Sequence, residues 1–159
     1  AFAALPAEWQ LVILGDGPER DSIKAQAFES GVADRVHLPG FAPDPAKAVG
    51  LFDLFALSSD SEQFPISVVE AMAAGLPIAA PAVGDVAEMV SPENCPLICA
   101  PGDDAALAAT LATLAQDSAL RSRIGKANQA YAQAHYDEQA MLAAYRRVYA
   151  GALGRMQFP

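Results

Sequence analysis

The 159-residue chain is short of positive charge: ten Lys and Arg stand against nineteen Asp and Glu, a formal net charge of −9. The basic residues are scattered apart from the short pairings Arg121/Arg123 and Arg146/Arg147, whereas binding a phosphate backbone requires clustered cations. That argues against nucleic acid as a partner. Cysteine is equally scarce, with Cys95 and Cys99 in "ENCPLICAPG". Four positions apart on one extended strand, the two would face the same side, too far apart for an easy disulfide, so both read as buried thiols of a reducing cytoplasm. Long apolar runs are missing too, because "SVVEAMAAGLPIAAPAV" is interrupted by Glu70, Gly75, Pro77 and Pro81, well short of the ~20 residues of a membrane span. The opening "AFAALPAEWQ" has no basic leader, signal-like stretch or initiating Met, as expected of a chain that begins inside a longer protein. The two histidines, His37 in "RVHLPG" and His135 near the C-terminus, have no nucleophilic or acidic companion, and no metal-ligand spacing is visible. Asp60 and Glu62, two apart in a loop, could hold a cation, but a solvated loop is the simpler reading. No metal is expected.

What remains is 53% hydrophobic and 18% charged, enough for one domain over residues 1–159 with a core of small side chains. Strand-like runs at 10–15, 35–40, 54–59, 77–81 and 96–101 alternate with helical patterns at 18–30, 45–52, 65–74, 85–90 and 103–116. This alternation predicts an α/β fold, a Rossmann-like parallel sheet flanked by helices. Proline near the first turns, Gly31 and Gly75 past two ends, and Asp103 as an N-cap punctuate the helices. After Asp117 the pattern is helix only, over "SALRSRIGKANQAYAQAH" and "DEQAMLAAYRRVYAGAL"; these two extra helices are expected to cover the sheet, with Tyr145 and Tyr149 packed in the core.

In an open parallel sheet, ligands sit beyond the carboxyl ends of the strands. The loops there are "GDGPE", "PGFAPD", "SSDSEQF", "APAVGD" and "APGDD". "GDGP" fails as a dinucleotide fingerprint, because Arg20 occupies the place of the third glycine. The loop at 58–64 is dense in hydroxyls and carboxylates and leads into a helix whose first position suits Pro65, with its missing N–H and pre-set φ. On that helix the only polar side chains, Ser67 and Glu70, are about 60° apart and form one stripe. A carboxylate buried on an otherwise apolar helix needs water, a partner charge or a ligand. Pairing with an arginine or capping a loop would satisfy Glu70, and so would a ligand. The free amides of Ile66 and Ser67 at the helix start form a natural site for phosphate oxygens, and two glutamates nearby suit the hydroxyls of a nucleotide sugar. Asp85 and Glu88 read as a capping box, and Gly84, beyond a strand end, as a point of close backbone approach to a ligand.

Glu62 and Glu70 have seven residues between them, and "EQFPISVVEAMAAGLPIAA" resembles the E-x7-E signature of retaining glycosyltransferases of family 4, which have the two-Rossmann-domain GT-B fold. The blocks "LVILGDGPER", "VHLPGF", "ALSSDSEQFP", "AVGDVAEMV" and "APGDDAALAATL" resemble, in order, successive blocks of that family's C-terminal, donor-binding domain. The resemblance implies that Glu70 holds the ribose hydroxyls and that Glu62, the catalytic candidate, lies near the transferred sugar. Phe64, Pro65, Ile66 and Ser67 would face the diphosphate, with Gly15 and Gly17 bordering the same cleft. Pro65 departs from the commoner glycine and can donate no N–H, leaving that contact to Ile66 and Ser67. The family's diphosphate-neutralising Arg and Lys, its first strand and its acceptor domain would lie upstream of "AFAAL"; Arg20 and Lys24 read as surface residues of a helix leaving the strand ends.

The implied protein transfers a sugar, with retention and without a metal, from a UDP- or GDP-type donor to an acceptor hydroxyl of a lipid-linked or polysaccharide intermediate. It is expected in the cytoplasm, peripheral at the inner membrane face through its other half. A GT-B nucleotide-sugar epimerase and a non-catalytic binding module on the same fold are the alternatives. On this reading the 159 residues alone transfer no sugar; transfer by the isolated chain in a donor-turnover assay would contradict it.

Overall fold

Each strand-like run forms a strand shorter than its pattern: β1 Leu11–Leu14, β2 Val36–Gly40, β3 Phe55–Ala56, β4 Ile78–Pro81 and β5 Ile98–Cys99. The helices between and after them are α1 Arg20–Glu29, α2 Ala46–Val49, α3 Ile66–Ala73, α4 Val86–Met89, α5 Asp104–Gln116, α6 Ser118–His135 and α7 Glu138–Ala152. The computed structural model describes residues 1–154.

All strand pairs are parallel, with Leu11 opposite Val36, Phe55 opposite Ile78 and Ala80 opposite Ile98. The ladder is divided, however, into a pair β1–β2 and a three-stranded sheet β3–β4–β5. Among the described residues β1 and β3 each have one bonded neighbour, so no hydrogen bonds join the two parts. Trp9 and Leu54, just ahead of β1 and β3, nevertheless pack on the same apolar cluster.

β4 is buried at every position, and its alternation sorts the core into two layers. Ile78 and Ala80 enter a cluster with Val68, Met72, Val86 and Met89 beneath α3 and α4. Ala79 faces the opposite cluster, with Leu107, Leu111 and Leu114 of α5. Asp103 caps α5 as expected, accepting the Ala106 amide at 2.9 Å.

The C-terminal helices depart from expectation. α6 packs on α3 rather than on the strands. Tyr145 and Tyr149 are 57% and 53% exposed, with Met141, Val148 and Leu153 also open, so this stripe is not core. Helical periodicity identifies the apolar face; only the tertiary fold decides whether anything lies against it. Cys95 and Cys99 do not share a strand either. Pro96 sits in a short 3-10 turn, Cys95–Leu97, leaving Cys95 exposed and Cys99 half-buried on β5.

The seat of α6 on α3 rests on a close backbone approach and a buried amide network. A Cβ placed on Gly125 would lie 1.9 Å from the Gly75 carbonyl oxygen. One turn on, the Asn128 amide donates to Leu76 O at 2.9 Å and to Asn94 Oδ1 at 2.8 Å, while its oxygen accepts from Ser91 Oγ at 2.7 Å. Asn94 in turn donates to Ile78 O and accepts from Ile78 N, both at 2.9 Å. No buried side-chain polar atom lacks a partner among the described residues.

Gly125→Ala is therefore expected to destabilise by about 2–3 kcal/mol in urea denaturation, despite alanine's better helix propensity. Gly151→Ala in α7, where nothing among the described residues lies within 4 Å of the added carbon, is expected to stabilise by about 0.5 kcal/mol. A neutral or stabilising Gly125→Ala would contradict the close approach.

Candidate functional site

The loop from Leu57 to Pro65 leaves β3 at its carboxyl end and delivers the chain to α3. Pro65 occupies the N-cap rather than the first helical position, because its φ of −68° suits either place but its ψ of 109° is extended. Its carbonyl accepts the Val68 amide at 3.0 Å, and the amides of Ile66 and Ser67 have no acceptor within the helix. Pro65 is buried while Ile66 and Ser67 are exposed residues, and their amides lie at the positive end of the helix dipole.

Glu70 lies one turn further along and is half-buried, not buried. α3 is two-sided: Val68, Ala71 and Met72 face the core, whereas Ile66 and Ala73 are exposed. Glu62 is half-buried in the preceding loop. Among the described residues no hydrogen bond or ion pair engages either carboxylate. The ion pairs that do form, Arg20–Asp16, Lys24–Asp21 and Lys47–Asp44, are local and lie elsewhere. Neither pairing with arginine nor loop capping accounts for Glu70.

Two neighbours hold the loop. Gly84, in the turn after β4, lies against its backbone, and a Cβ there would meet Gln63 O at 2.4 Å and Glu62 O at 2.6 Å. The Asp85 amide donates to Gln63 O at 2.8 Å. The absence of a side chain at Gly84 thus makes room for protein backbone. The expected capping box at Asp85 does not form: with φ −90° and ψ 8° its backbone is not in the extended conformation typical of a capping residue, and its side chain makes no capping bond. The second neighbour is Tyr136, at the α6–α7 junction, which meets Phe64 edge to face at 5.7 Å and donates its hydroxyl to Met89 O at 2.8 Å. Burial, and then the neighbouring Tyr131, pushes the Tyr136 phenol above its usual range, so it stays a neutral donor. Phe64 itself is 41% exposed.

Sequence reading missed Tyr136, which no local pattern distinguishes; it expected a close approach at Gly84, but to a ligand rather than to the backbone of Glu62 and Gln63. Gly15 and Gly17 lie beyond β1 on the two-stranded sheet: Gly15 donates to Gly40 O at 2.9 Å, and the Gly17 amide to Asp16 Oδ1 at 2.9 Å. Arg20 does not leave the strand ends as expected; half-buried, it donates to Leu38 O and lies 3.9 Å from Asp16. Lys24 is an exposed surface residue paired with Asp21. His37 is exposed and shares a 2.8 Å hydrogen bond with Gln10, and His135 stacks near Tyr131 at 4.2 Å between ring centres. A shallow cleft beyond β3, β4 and β5 is lined by Ser58, Ser59, Asp60, Cys99, Asp103 and Leu107 and does not include Glu62 or Glu70. Among the described residues no cluster of three or more His, Cys, Asp or Glu could hold a metal ion, and no helix is long and apolar enough to cross a membrane.

Parallel strands ending at an acidic, hydroxyl-bearing loop and an open helix N-terminus define a Rossmann-like α/β domain with its ligand crevice past the strand ends. Residues 1–131 match the family "Glycosyl transferases group 1", and the chain belongs to it. It is 36% identical over 115 residues to the 2-deoxystreptamine glucosyltransferase of Streptomyces kanamyceticus, covering 70% of this chain and 30% of that protein. To the N-acetyl-alpha-D-glucosaminyl L-malate synthase of Bacillus anthracis it is 27% identical, covering 94% of this chain and 40% of the relative. The chain thus spans well under half of these relatives' length. The solved structure of Anabaena Alr3699/HepE in complex with UDP superposes with a TM-score of 0.82 at 26% identity, over 96% of this chain and 43% of that one. The fold is the Rossmann-like C-terminal half of the GT-B glycosyltransferases, as the sequence blocks imply.

Burial, reinforced by Asp103 and Asp104 against the lowering effect of its own backbone hydrogen bond, raises the Cys99 thiol pKa, leaving less thiolate at pH 8. Alkylation followed by peptide mapping is expected to modify exposed Cys95 before Cys99; the reverse order would contradict this placement.

Proposed function

We propose that this domain binds the donor in a retaining glycosyltransferase that moves a sugar from a nucleoside diphosphate sugar to an acceptor hydroxyl. One observation carries the reading: Glu62 and Glu70, which no hydrogen bond or ion pair engages among the described residues, flank in sequence the α3 N-terminal amides of Ile66 and Ser67. The amides suit diphosphate oxygens, Glu70 a pair of ribose hydroxyls, and Glu62 the transferred sugar. Pro65 contributes no donor, so Ile66 and Ser67 supply this contact.

UDP is the favoured donor nucleotide, with GDP the other type considered. The support is similarity: Alr3699/HepE is solved with UDP and with UDP-glucose, at TM-scores of 0.82 and 0.81. Catalysis would rest on positioning and on stabilising the departing diphosphate, with no metal. The diphosphate-neutralising Arg and Lys, the first strand of the domain and the acceptor site are assigned to other parts of the enzyme. We place that enzyme in the cytoplasm, at the inner membrane face, acting on a lipid-linked or polysaccharide acceptor in carbohydrate biosynthesis.

Calorimetric titration of the chain with UDP, GDP and ADP is expected to show weak binding, tightest for UDP. In the intact enzyme Glu70→Ala is expected to raise the donor KM about tenfold or more, the loss of charge-assisted hydrogen bonds to hydroxyls. No binding of any nucleotide, together with an unchanged KM, would overturn the donor-site assignment.

A further inference from the structure

Because no side-chain bond among the described residues holds the Glu62 carboxylate, its aim depends on the backbone that carries it. That backbone is fixed from two elements distant in sequence. The Gly84–Asp85 turn closes on the carbonyls of Glu62 and Gln63, through the 2.8 Å bond from the Asp85 amide and through contact at Gly84 that leaves no room for a Cβ. Gly84 also sits at φ +53°, which disfavours a side chain independently. One residue beyond Gln63, the Phe64 ring meets Tyr136, itself fastened by its hydroxyl to Met89 O at 2.8 Å. Met89 belongs to α4, the helix that the Gly84–Asp85 turn begins. Both restraints therefore converge on one unit, α4 with its leading turn, which holds the loop directly and through Tyr136.

We propose that Gly84 and Tyr136 are positioning residues for Glu62, setting the loop that aims this carboxylate at the reacting sugar. The proposal rests on the donor-site reading above. Neither residue touches the donor; each acts through the path of residues 62–64. Their loss should then lower kcat more than donor affinity, because a misplacement of about 1 Å can cost on the order of a hundredfold in rate.

The test uses the intact enzyme, with kcat normalised to the donor-binding fraction measured by calorimetry. Gly84→Ala is expected to lower kcat about tenfold or more with donor KM within about threefold. Gly102→Ala is the control: its φ of +75° imposes similar strain, but nothing among the described residues lies within 4 Å of the added carbon, so kcat should hold. Tyr136→Phe, which keeps the ring against Phe64 but loses the bond to Met89 O, should lower kcat less than Tyr136→Ala, which should fall with Gly84→Ala. The Tyr136 pair keeps the proposal testable should Gly84→Ala fail to fold. In a Glu62→Gln background either substitution should add less than about threefold, since residues acting as a unit are non-additive. Full multiplicative losses in that background, or kcat unchanged in both Gly84→Ala and Tyr136→Ala while Glu62→Gln is impaired, would overturn the proposal. If Glu62→Gln and Glu70→Ala are themselves unimpaired, it is the donor-site reading that fails.

Discussion

The arrangement at the strand ends depends on how α3 is seated, and that is decided at its far end, where α6 crosses backbone to backbone at Gly75 and Gly125. The contact leaves no space for a methyl group. Just beyond it, Asn128 and Asn94 tie the entrance of β4 to α6 through bonds to Leu76 and Ile78. Buried amides are worth keeping only when every donor and acceptor is satisfied, and these are. The result is a rigid three-way junction of α3, β4 and α6, from which the N-terminus of α3 projects past the sheet.

At that opposite end the constraints are looser and polar. Ile66 and Ser67 carry the α3 N-terminal amides, no bond among the described residues engages the carboxylates of Glu62 and Glu70, and the loop before α3 is held by the turn at Gly84 and by Tyr136. The contrast suits a binding site: the tightly packed end fixes position, and the open end keeps its hydrogen-bonding capacity for a ligand. A charge that would be costly in the core is tolerable here because Glu70 sits at the half-buried edge of its helix, within reach of solvent.

Much of this was legible from local pattern. The alternation of strand-like and helical runs gave the α/β class, Asp103 marked the start of α5 and Pro65 that of α3, and Glu62 and Glu70 pointed to the loop and helix where the donor site is proposed. The misreadings have a common source, because contacts between distant segments leave little local trace. Tyr145 and Tyr149 showed the right period but not that their face is open; Cys95 looked like strand until Pro96 turned the chain. Gly125, a glycine inside a helical pattern, and Asn128, polar on the stripe of Ile124 and Ala132, did carry a signal of close packing, but their partners lie some fifty residues away. Tyr136, seventy-two positions from Phe64, carried none.

The account stands or falls on where a nucleotide sits. A crystal structure of the domain soaked with UDP should place the diphosphate within hydrogen-bond reach of the Ile66 and Ser67 amides and the ribose hydroxyls on the Glu70 carboxylate. UDP seated in the cleft of Ser58, Asp60 and Asp103, with Glu70 untouched, would contradict it.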